Sequence, residues 1–444
     1  MLMLSRLLVW SLSLSCLAYE ANASPPRSTS RVAAHRFVND SRATRPLMFN
    51  ADGKFKLSIF EDLHLGENSW NSWGHQQDIN TVGVIERTVD AEKPDLVVFN
   101  GDLITGENAF RENSTAVIDM MVAPLLQRSL PWASTYGNHD NQVNLSSADI
   151  FAHEKRWPNA RAQNMVSDRN AGVTNYYLPV YGPNCSEPQC VPELLLWFFD
   201  SRGGGEYQKS MDDLSEHPRA PWVDKSVVDW YQKTRANLRK RHGKELPSLA
   251  FVHIPIRASY AVAMEHGRNS IDPHHHPGIN DDWPLSAQGQ GWCPDGRRDA
   301  ACAYGGQDVP FMKAIVETPG LIGLFSGHDH GNSWCYHWDH LVPGMTVAGK
   351  GLNLCFGQRS GYAGYGQWER GSRQVRLSRD RLRNGPEAET WIRLDSGGFV
   401  SSVVLNSTYG KDWYPKTPNT KSFCPTCDYS VITKRPYKRA VVSV

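Results

Sequence analysis

The 444 residues carry 47 Lys+Arg against 46 Asp+Glu, a formal net charge of +1, with 40% hydrophobic and 21% charged residues. That balance is ordinary for a folded chain and excludes a disordered or collagen-like one. It also lacks the basic excess that gripping a nucleic-acid backbone requires, and the length, about three times the ~150-residue prior for one domain, allows one large α/β domain with insertions or two domains sharing a core.

In chain order, Met1–Arg6 is followed by an apolar run from Leu7 to Ala18 and by Ala21-Asn22-Ala23 before Ser24. A cationic start, a short apolar stretch and small residues at −3 and −1 predict a secretory signal peptide over 1–23. A membrane anchor needs about 20 apolar residues, and no later segment reaches that length, so a secreted, extracellular protein without a membrane anchor is expected. Residues 24–48 are rich in Ser, Arg and Pro without apolar periodicity and read as a flexible leader. Removal of Cys16 leaves Cys185, Cys190, Cys293, Cys302, Cys335, Cys355, Cys424 and Cys427. An even number in an oxidising compartment predicts a disulfide framework, with pairing of sequence neighbours the simplest arrangement. Cys424-Pro-Thr-Cys427 has the spacing of a redox motif or half a zinc site, but its Pro-rich surroundings suit a local staple. Asn-x-Ser/Thr sequons begin at Asn22, Asn39, Asn113, Asn144, Asn184 and Asn406 and suit a glycosylated surface.

Over 49–410 one pattern recurs: a short β-prone apolar run followed at once by Gly, Asp, Asn or His. The runs are 56–60, 96–100, 132–136, 194–199, 248–252 and 321–325. Behind them stand Glu61-Asp62-Leu63-His64, Gly101-Asp102, Gly137-Asn138-His139-Asp140, Asp200-Ser201-Arg202, His253 and Gly327-His328-Asp329-His330. Ile79, Val82, Ile85 and Val89 step at helical spacing and stop before Pro94, and Val227, Trp230, Tyr231, Thr234 and Leu238 do the same before Pro247. Strand–polar loop–helix alternation means βα units, and in such sheets ligands collect beyond the carboxyl ends of the strands. Residues 257–310, rich in His, Pro, Gly and Trp, are too long for a plain connection and read as a disulfide-pinned insertion overhanging the site. Runs such as 390–394 and 400–405 suggest a further β layer, 411–444 a C-terminal tail, and the arginines from Arg370 to Arg383, interleaved with acids, a solvated hairpin.

Divalent metals prefer carboxylate oxygen and imidazole nitrogen. The clusters offer carboxylates at Asp62 and Asp102, an amide oxygen at Asn138 and imidazoles at His64, His253, His328 and His330. On an extended strand end residues i and i+2 point the same way, so Asp62 with His64, and His328 with His330, are able to ligate together. A carboxylate between two metals can bridge them, and such pairs clamp phosphoryl groups.

Asp62-x-His64, Gly101-Asp102, Gly137-Asn138-His139-Asp140, the strand-terminal His253 and Gly327-His328-x-His330 resemble, in order and type, the motifs of the calcineurin-like metallophosphoesterases. The wider texture around Ser58–Gly66 and Trp197–Gly204 is similar to the secreted fungal branch related to purple acid phosphatases. The resemblance implies a four-layer α/β/β/α sandwich and a pair of divalent ions, Mn, Zn or Fe. It places Asp62, His64 and His330 on the first ion, Asn138, His253 and His328 on the second, and Asp102 between them. A metal-bridging hydroxide would then attack a phosphate ester, with His139 donating a proton to the leaving group and Asp140 holding the His139 ring. One departure stands out: the purple enzymes have Tyr where Gly101-Asp102-Leu103-Ile104-Thr105 presents Thr105, so no Fe(III)–tyrosinate centre is expected.

Arg202 reads either as a phosphate clamp or as one half of an ion pair. His274-His275-His276 reads as an exposed loop or a single substrate contact, and His337 and His340 as packing groups. The function expected is a secreted phosphoester hydrolase, phosphatase-like, with a phosphodiesterase or a catalytically silent binding module on the same fold as alternatives. A zinc peptidase lacks its His-Glu-x-x-His motif here, and a serine hydrolase its Gly-x-Ser-x-Gly.

Overall fold

The computed structural model describes residues 45–422, apart from 70–71, 107–108, 110–113, 143, 186–189, 208–217, 268–269 and 300. The expected signal peptide, most of the leader and the Cys424/Cys427 pair lie outside the described residues. In chain order the elements are β1 (Leu47–Met48), β2 (Lys54–Phe60), α1 (Ser72–Glu92), β3 (Leu96–Asn100), α2 (Ala116–Gln127), β4 (Trp132–Thr135) and α3 (Ser147–Glu154). Then come β5 (Tyr176–Tyr181), β6 (Leu194–Phe199), α4 (Lys225–His242), β7 (Ser248–Val252), α5 (Arg257–Met264), α6 (Val309–Val316) and β8 (Leu321–Ser326). The chain closes with β9 (Cys335–Trp338), β10 (Leu352–Phe356), β11 (Gly371–Ser378), α7 (Arg379–Asn384), β12 (Ala388–Leu394) and β13 (Phe399–Leu405).

Two sheets carry the fold: a seven-stranded one in the order β1-β5-β6-β7-β8-β10-β9 and a six-stranded one in the order β13-β12-β11-β2-β3-β4. Strands β6, β7, β8 and β10 run parallel in the first, and β2, β3 and β4 run parallel in the second. Side-chain alternation explains why each strand is apolar throughout. In β6, Leu194, Leu196 and Phe198 face the other sheet, while Leu195, Trp197 and Phe199 pack with Val227 and Tyr231 of α4 and Phe311 and Ile315 of α6. In β3, Leu96 and Val98 join the inter-sheet core, whereas Val97 and Phe99 meet Ile85 and Val89 of α1 and Ile118 and Met121 of α2. Three hydrophobic cores therefore separate the layers of an α/β/β/α sandwich.

Four details differ from expectation. The C-terminal strands form no extra layer: β9 and β10 complete the first sheet and β11–β13 the second. Leu47 and Met48 are not leader but pair with Val180 and Tyr181 of β5. Arg370 and Arg373 are not solvated; both guanidinium groups are buried, Arg373 against Phe356 O, Ser333 O and Thr390 Oγ1, because backbone carbonyls left over by a turning chain replace water as acceptors. The tail is tied down as far as Ser422, whose amide donates to Gln367 O. The His triplet is the clamp for that tail: His274 Nδ1 and His275 Nδ1 lie 2.9 Å from Tyr414 O and Asp412 O, and His276 is buried against Tyr336. Cys185–Cys190, Cys293–Cys302 and Cys335–Cys355 are bonded, the neighbour pairing expected, and Cys335 and Cys355 face each other across β9 and β10.

Candidate metal centre

The loops leaving the carboxyl ends of β2, β3, β4, β7 and β8 meet over the gap between the sheets. There Asp62, His64 and His330 present donor atoms within 4.8 Å of one another, and Asp102, His253 and His328 do the same. Asp102 joins the two groups, its Oδ2 lying 2.9 Å from His253 Nε2 and 3.9 Å from His64 Nε2. Asp62 Oδ1 is 3.7 Å from His330 Nε2 and 3.9 Å from His253 Nε2.

The backbone is bent hard to bring these groups together. Asp62 (φ 52°), His64 (φ 49°), Asp102 (φ 50°) and His328 (φ 75°) all sit in the left-handed region, which non-glycine residues rarely adopt. Two glycines make room for the donors: a Cβ on Gly101 would lie 2.4 Å from the His253 ring, and one on Gly137 would lie 2.2 Å from Asp102 Oδ1. Outer partners aim the imidazoles. His253 Nδ1 faces Asn100 O at 2.9 Å, His330 Nδ1 faces Tyr365 O at 3.0 Å and His64 Nδ1 faces Thr105 Oγ1 at 3.1 Å. A carbonyl accepts only, so His253 and His330 carry their proton on Nδ1 and turn a bare Nε2 to the centre when neutral. Thr105, where the purple enzymes have Tyr, thus steadies His64 from outside.

Electrostatics favour a cation. Burial, then the neighbouring Asp102, pushes the Asp62 carboxyl up to about 7. Burial alone would raise Asp102 as well, but His253 and His139 hold it well below the usual carboxylate range. Burial works against a charged His253, yet Asp102 and Asp62 push it up to about 10, so a proton there compensates two carboxylates as a metal ion would. Burial keeps His64 and His330 well below the ordinary histidine value and brings His328 down to about 3, the neutral state that ligation needs. Asn138 Oδ1 is buried with no hydrogen-bond partner among the described residues, as a metal-directed amide oxygen would be. By these measures the donor set fits a pair of divalent ions.

One expected role needs correction, and one pair of alternatives narrows. Asp140 does not hold the His139 ring through its hydrogen bonds; Oδ1 accepts from the amides of Leu103 and Ile104 and Oδ2 from that of Gly137, so it pins two metal-site loops together. Of the two readings of Arg202, the structure shows the ion pair: its guanidinium lies 3.2 Å from Asp224 and donates to Trp222 O and Asn170 O, because its left-handed backbone turns the side chain toward the segments beside α4. His139 lines the cavity, its amide donating to Asp102 Oδ1 at 2.8 Å.

The cavity above the donors has a volume of about 420 Å³ and is lined by His64, Asp102, His139, His328, His330 and also Glu67, Ser286, Asp329, Gly364 and Tyr365. Ser286 comes from the insertion, which therefore does reach over the site. Tyr365 was not anticipated from the sequence; its ring stacks on His330 at 4.0 Å between centroids. Gly364 has a signal only in retrospect: a Cβ there would come within 2.9 Å of both His64 and His330.

Among known proteins, the chain is similar to two from Arabidopsis thaliana. One, named probable inactive purple acid phosphatase 14, is 28% identical over 83% of this chain and 86% of its own length. The other, named probable inactive purple acid phosphatase 29, is 26% identical over 83% and 90%. The phosphatase DCR2 of Saccharomyces cerevisiae is 28% identical over 78% of the chain, which spans 54% of that protein. A crystallised dimetal phosphatase from Danio rerio aligns over 79% of this chain and 98% of its own at 11% identity and a TM-score of 0.44. The profile of the family described as calcineurin-like phosphoesterase matches residues 62–332, a span that opens on Asp62 and closes just beyond His330, and the chain belongs to that family.

Proposed function

We propose that the protein is a secreted phosphoric ester hydrolase dependent on two divalent metal ions, phosphatase-like in its choice of ester. The observation that carries this reading is the packing of Asp62, His64 and His330 and of Asp102, His253 and His328 into two donor groups, of which His64, Asp102, His328 and His330 line one cavity, with Asn138 Oδ1 buried and without a hydrogen-bond partner among the described residues. Asp62, His64 and His330 would hold one ion, Asn138, His253 and His328 the other, and Asp102 both. Bound there, the ions would acidify a shared water and neutralise the phosphoryl oxygens.

The chain's own residues supply the rest. The left-handed backbone at Asp62, His64, Asp102 and His328 fixes the donors before substrate arrives, so little reorganisation is left for the reaction. His139 lines the cavity beside His64, with 4.9 Å between ring centroids, and on this reading it would give a proton to the departing alkoxide. Asp140, by joining the 103–104 and 137 loops, holds Asp102 and His139 in mutual register. Passage through an oxidising compartment accords with the disulfides and with the apolar N-terminal run.

The decisive test is metal analysis of the purified protein together with assays on p-nitrophenyl phosphate and bis-p-nitrophenyl phosphate after loading with Mn(II) or Zn(II). Two metals per chain and faster turnover of the monoester are expected. Preference for the diester would make the protein a phosphodiesterase. Full metal loading without activity on either ester would leave a silent binding module, the reading favoured by the word inactive in the plant relatives' names.

A further inference from the structure

The segment from Gly357 to Gly371 gives no donor to the centre, yet it touches His330 in three ways through one residue. Tyr365 O faces His330 Nδ1 at 3.0 Å, the Tyr365 ring stacks on the His330 ring with 12° between planes, and the His330 amide donates to the Tyr365 hydroxyl at 3.3 Å. The tyrosine is itself fixed from behind, since the buried Arg359 guanidinium donates to Tyr365 O, Gly366 O and Ala363 O.

Outward, the Tyr365 hydroxyl donates to Asp282 Oδ2, and Asp282 belongs to the insertion. Around it the insertion runs along the loop that carries His328 and His330. Asp281 N donates to Gly331 O at 3.0 Å, Gly331 N to Asp282 Oδ2 at 3.2 Å, Asn332 Nδ2 to Asp282 O at 3.0 Å and Ser286 N to Asp329 Oδ1 at 2.9 Å. Ser286 and Tyr365 both line the cavity.

We propose that Tyr365 is a positioning residue that couples the insertion to the metal centre. Its carbonyl and ring hold His330 with Nε2 toward the cavity, and its hydroxyl, through Asp282, sets where the Ser286 wall stands. The wall then limits the bulk of the ester admitted, a consequence that rests on the phosphoesterase reading, whereas the coupling does not.

Two measurements without turnover test it on the full chain. Zn(II) titration calorimetry on metal-free protein should show Tyr365→Leu, which keeps the carbonyl and removes the stacked ring, weakened by about 3–10-fold, the scale of one aromatic contact, and Tyr365→Phe, which keeps both, within about twofold of the parent. Hydrogen exchange should show the amides of 281–283, 285 and 286 exchanging about five- to tenfold faster in Tyr365→Phe and Asp282→Ala, with no further increase when the two are combined, and near the parent rate in Asp282→Asn, which keeps an acceptor. If esters are turned over, Tyr365→Phe should alter KM for bulky esters more than kcat for p-nitrophenyl phosphate. Parental zinc affinity in Tyr365→Leu would overturn the part of the ring in holding His330. Additive or absent exchange effects would overturn the link to the insertion, and they decide the matter also if the leucine variant fails to fold. Loss of all turnover with both effects intact would count against the phosphoesterase reading alone.

Discussion

The two ends of the parallel strands make an instructive pair. At the amino ends a depression of about 940 Å³ is bordered by Pro319, Gly320, Lys350, Arg381, Glu387 and Asn406; at the carboxyl ends the cavity over the donors has less than half that volume. At the larger hollow Arg381 pairs with Glu387 at 2.9 Å and Glu389 at 3.2 Å, the arginine exposed and both glutamates partly so, where water reaches the charges. In the smaller one, Asp62 and Asp102 are buried beside each other on strained backbone. Volume marks neither end as functional. What separates them is carboxylate charge held where water cannot relax around it, which is costly unless a protonated His253 or a bound cation offsets it.

The sharpest way to break the contrast is Asp102→Asn, which removes the charge facing both donor groups. Turnover should fall by at least the ~10²–10³ attached to one preorganised electrostatic contact, with metal loading measured by elemental analysis also reduced. His139→Ala should keep metal affinity within about threefold and lose ~10²–10⁴ in rate on esters with poor leaving groups, with a smaller loss on p-nitrophenyl phosphate. Undiminished turnover of a poor leaving group would remove His139 from the proton-donor role. Gly137→Ala tests the geometry alone, because the new Cβ falls on Asp102 Oδ1; a displacement of about an ångström there should cost ~10² in kcat while circular dichroism stays unchanged. Arg381→Ala at the opposite end should leave turnover alone and shift stability by no more than about 0.5–1 kcal/mol in denaturant titrations.

The same contrast explains what the amino-acid sequence revealed. Donors at strand ends are legible because each follows directly on a run that only a buried strand would carry, as His253 follows Ser248–Val252. The βα units are legible for the same reason, whereas the four-layer sandwich came only through the family resemblance of the motifs, and the assignment of β9–β13 to two existing sheets is not legible, since antiparallel partners leave no local mark. Tyr365 was hidden because it lies beyond the matched family span and acts through its carbonyl as much as through its ring. Arg359, Arg370 and Arg373 were hidden because their acceptors are mostly main-chain carbonyls, which any residue supplies. Asp140 was misassigned in role and Arg202 left between two, though both were rightly placed in sequence, because which atoms a side chain reaches depends on how adjacent loops fold back, and residue type alone does not encode that.

The smallest expected effect concerns how the insertion is fastened away from the metals. Asp281 accepts from Lys421 Nζ at 2.6 Å and from the Trp368 indole at 2.8 Å, joining the insertion to the tail and to the segment that carries Tyr365. Burial raises its carboxyl, but these bonds outweigh burial and bring it from 3.8 down to about 2. A carboxylate lowered in the folded state stabilises fully above its unfolded value and loses that contribution as pH falls through the folded one. The advantage of the parent over Asp281→Asn should therefore be constant above about pH 5, shrink between roughly pH 4 and pH 2 and vanish below. Because Lys421 and Asp281 are 44% and 38% exposed, solvent screens the pair and the full difference should stay within about 1 kcal/mol. Guanidinium chloride or urea titrations of the two proteins at stepped pH read this directly. A difference that persists unchanged at pH 2 would mean that Asp281 acts by shape and not by charge, and the tail would then be held chiefly by its contacts with His274 and His275.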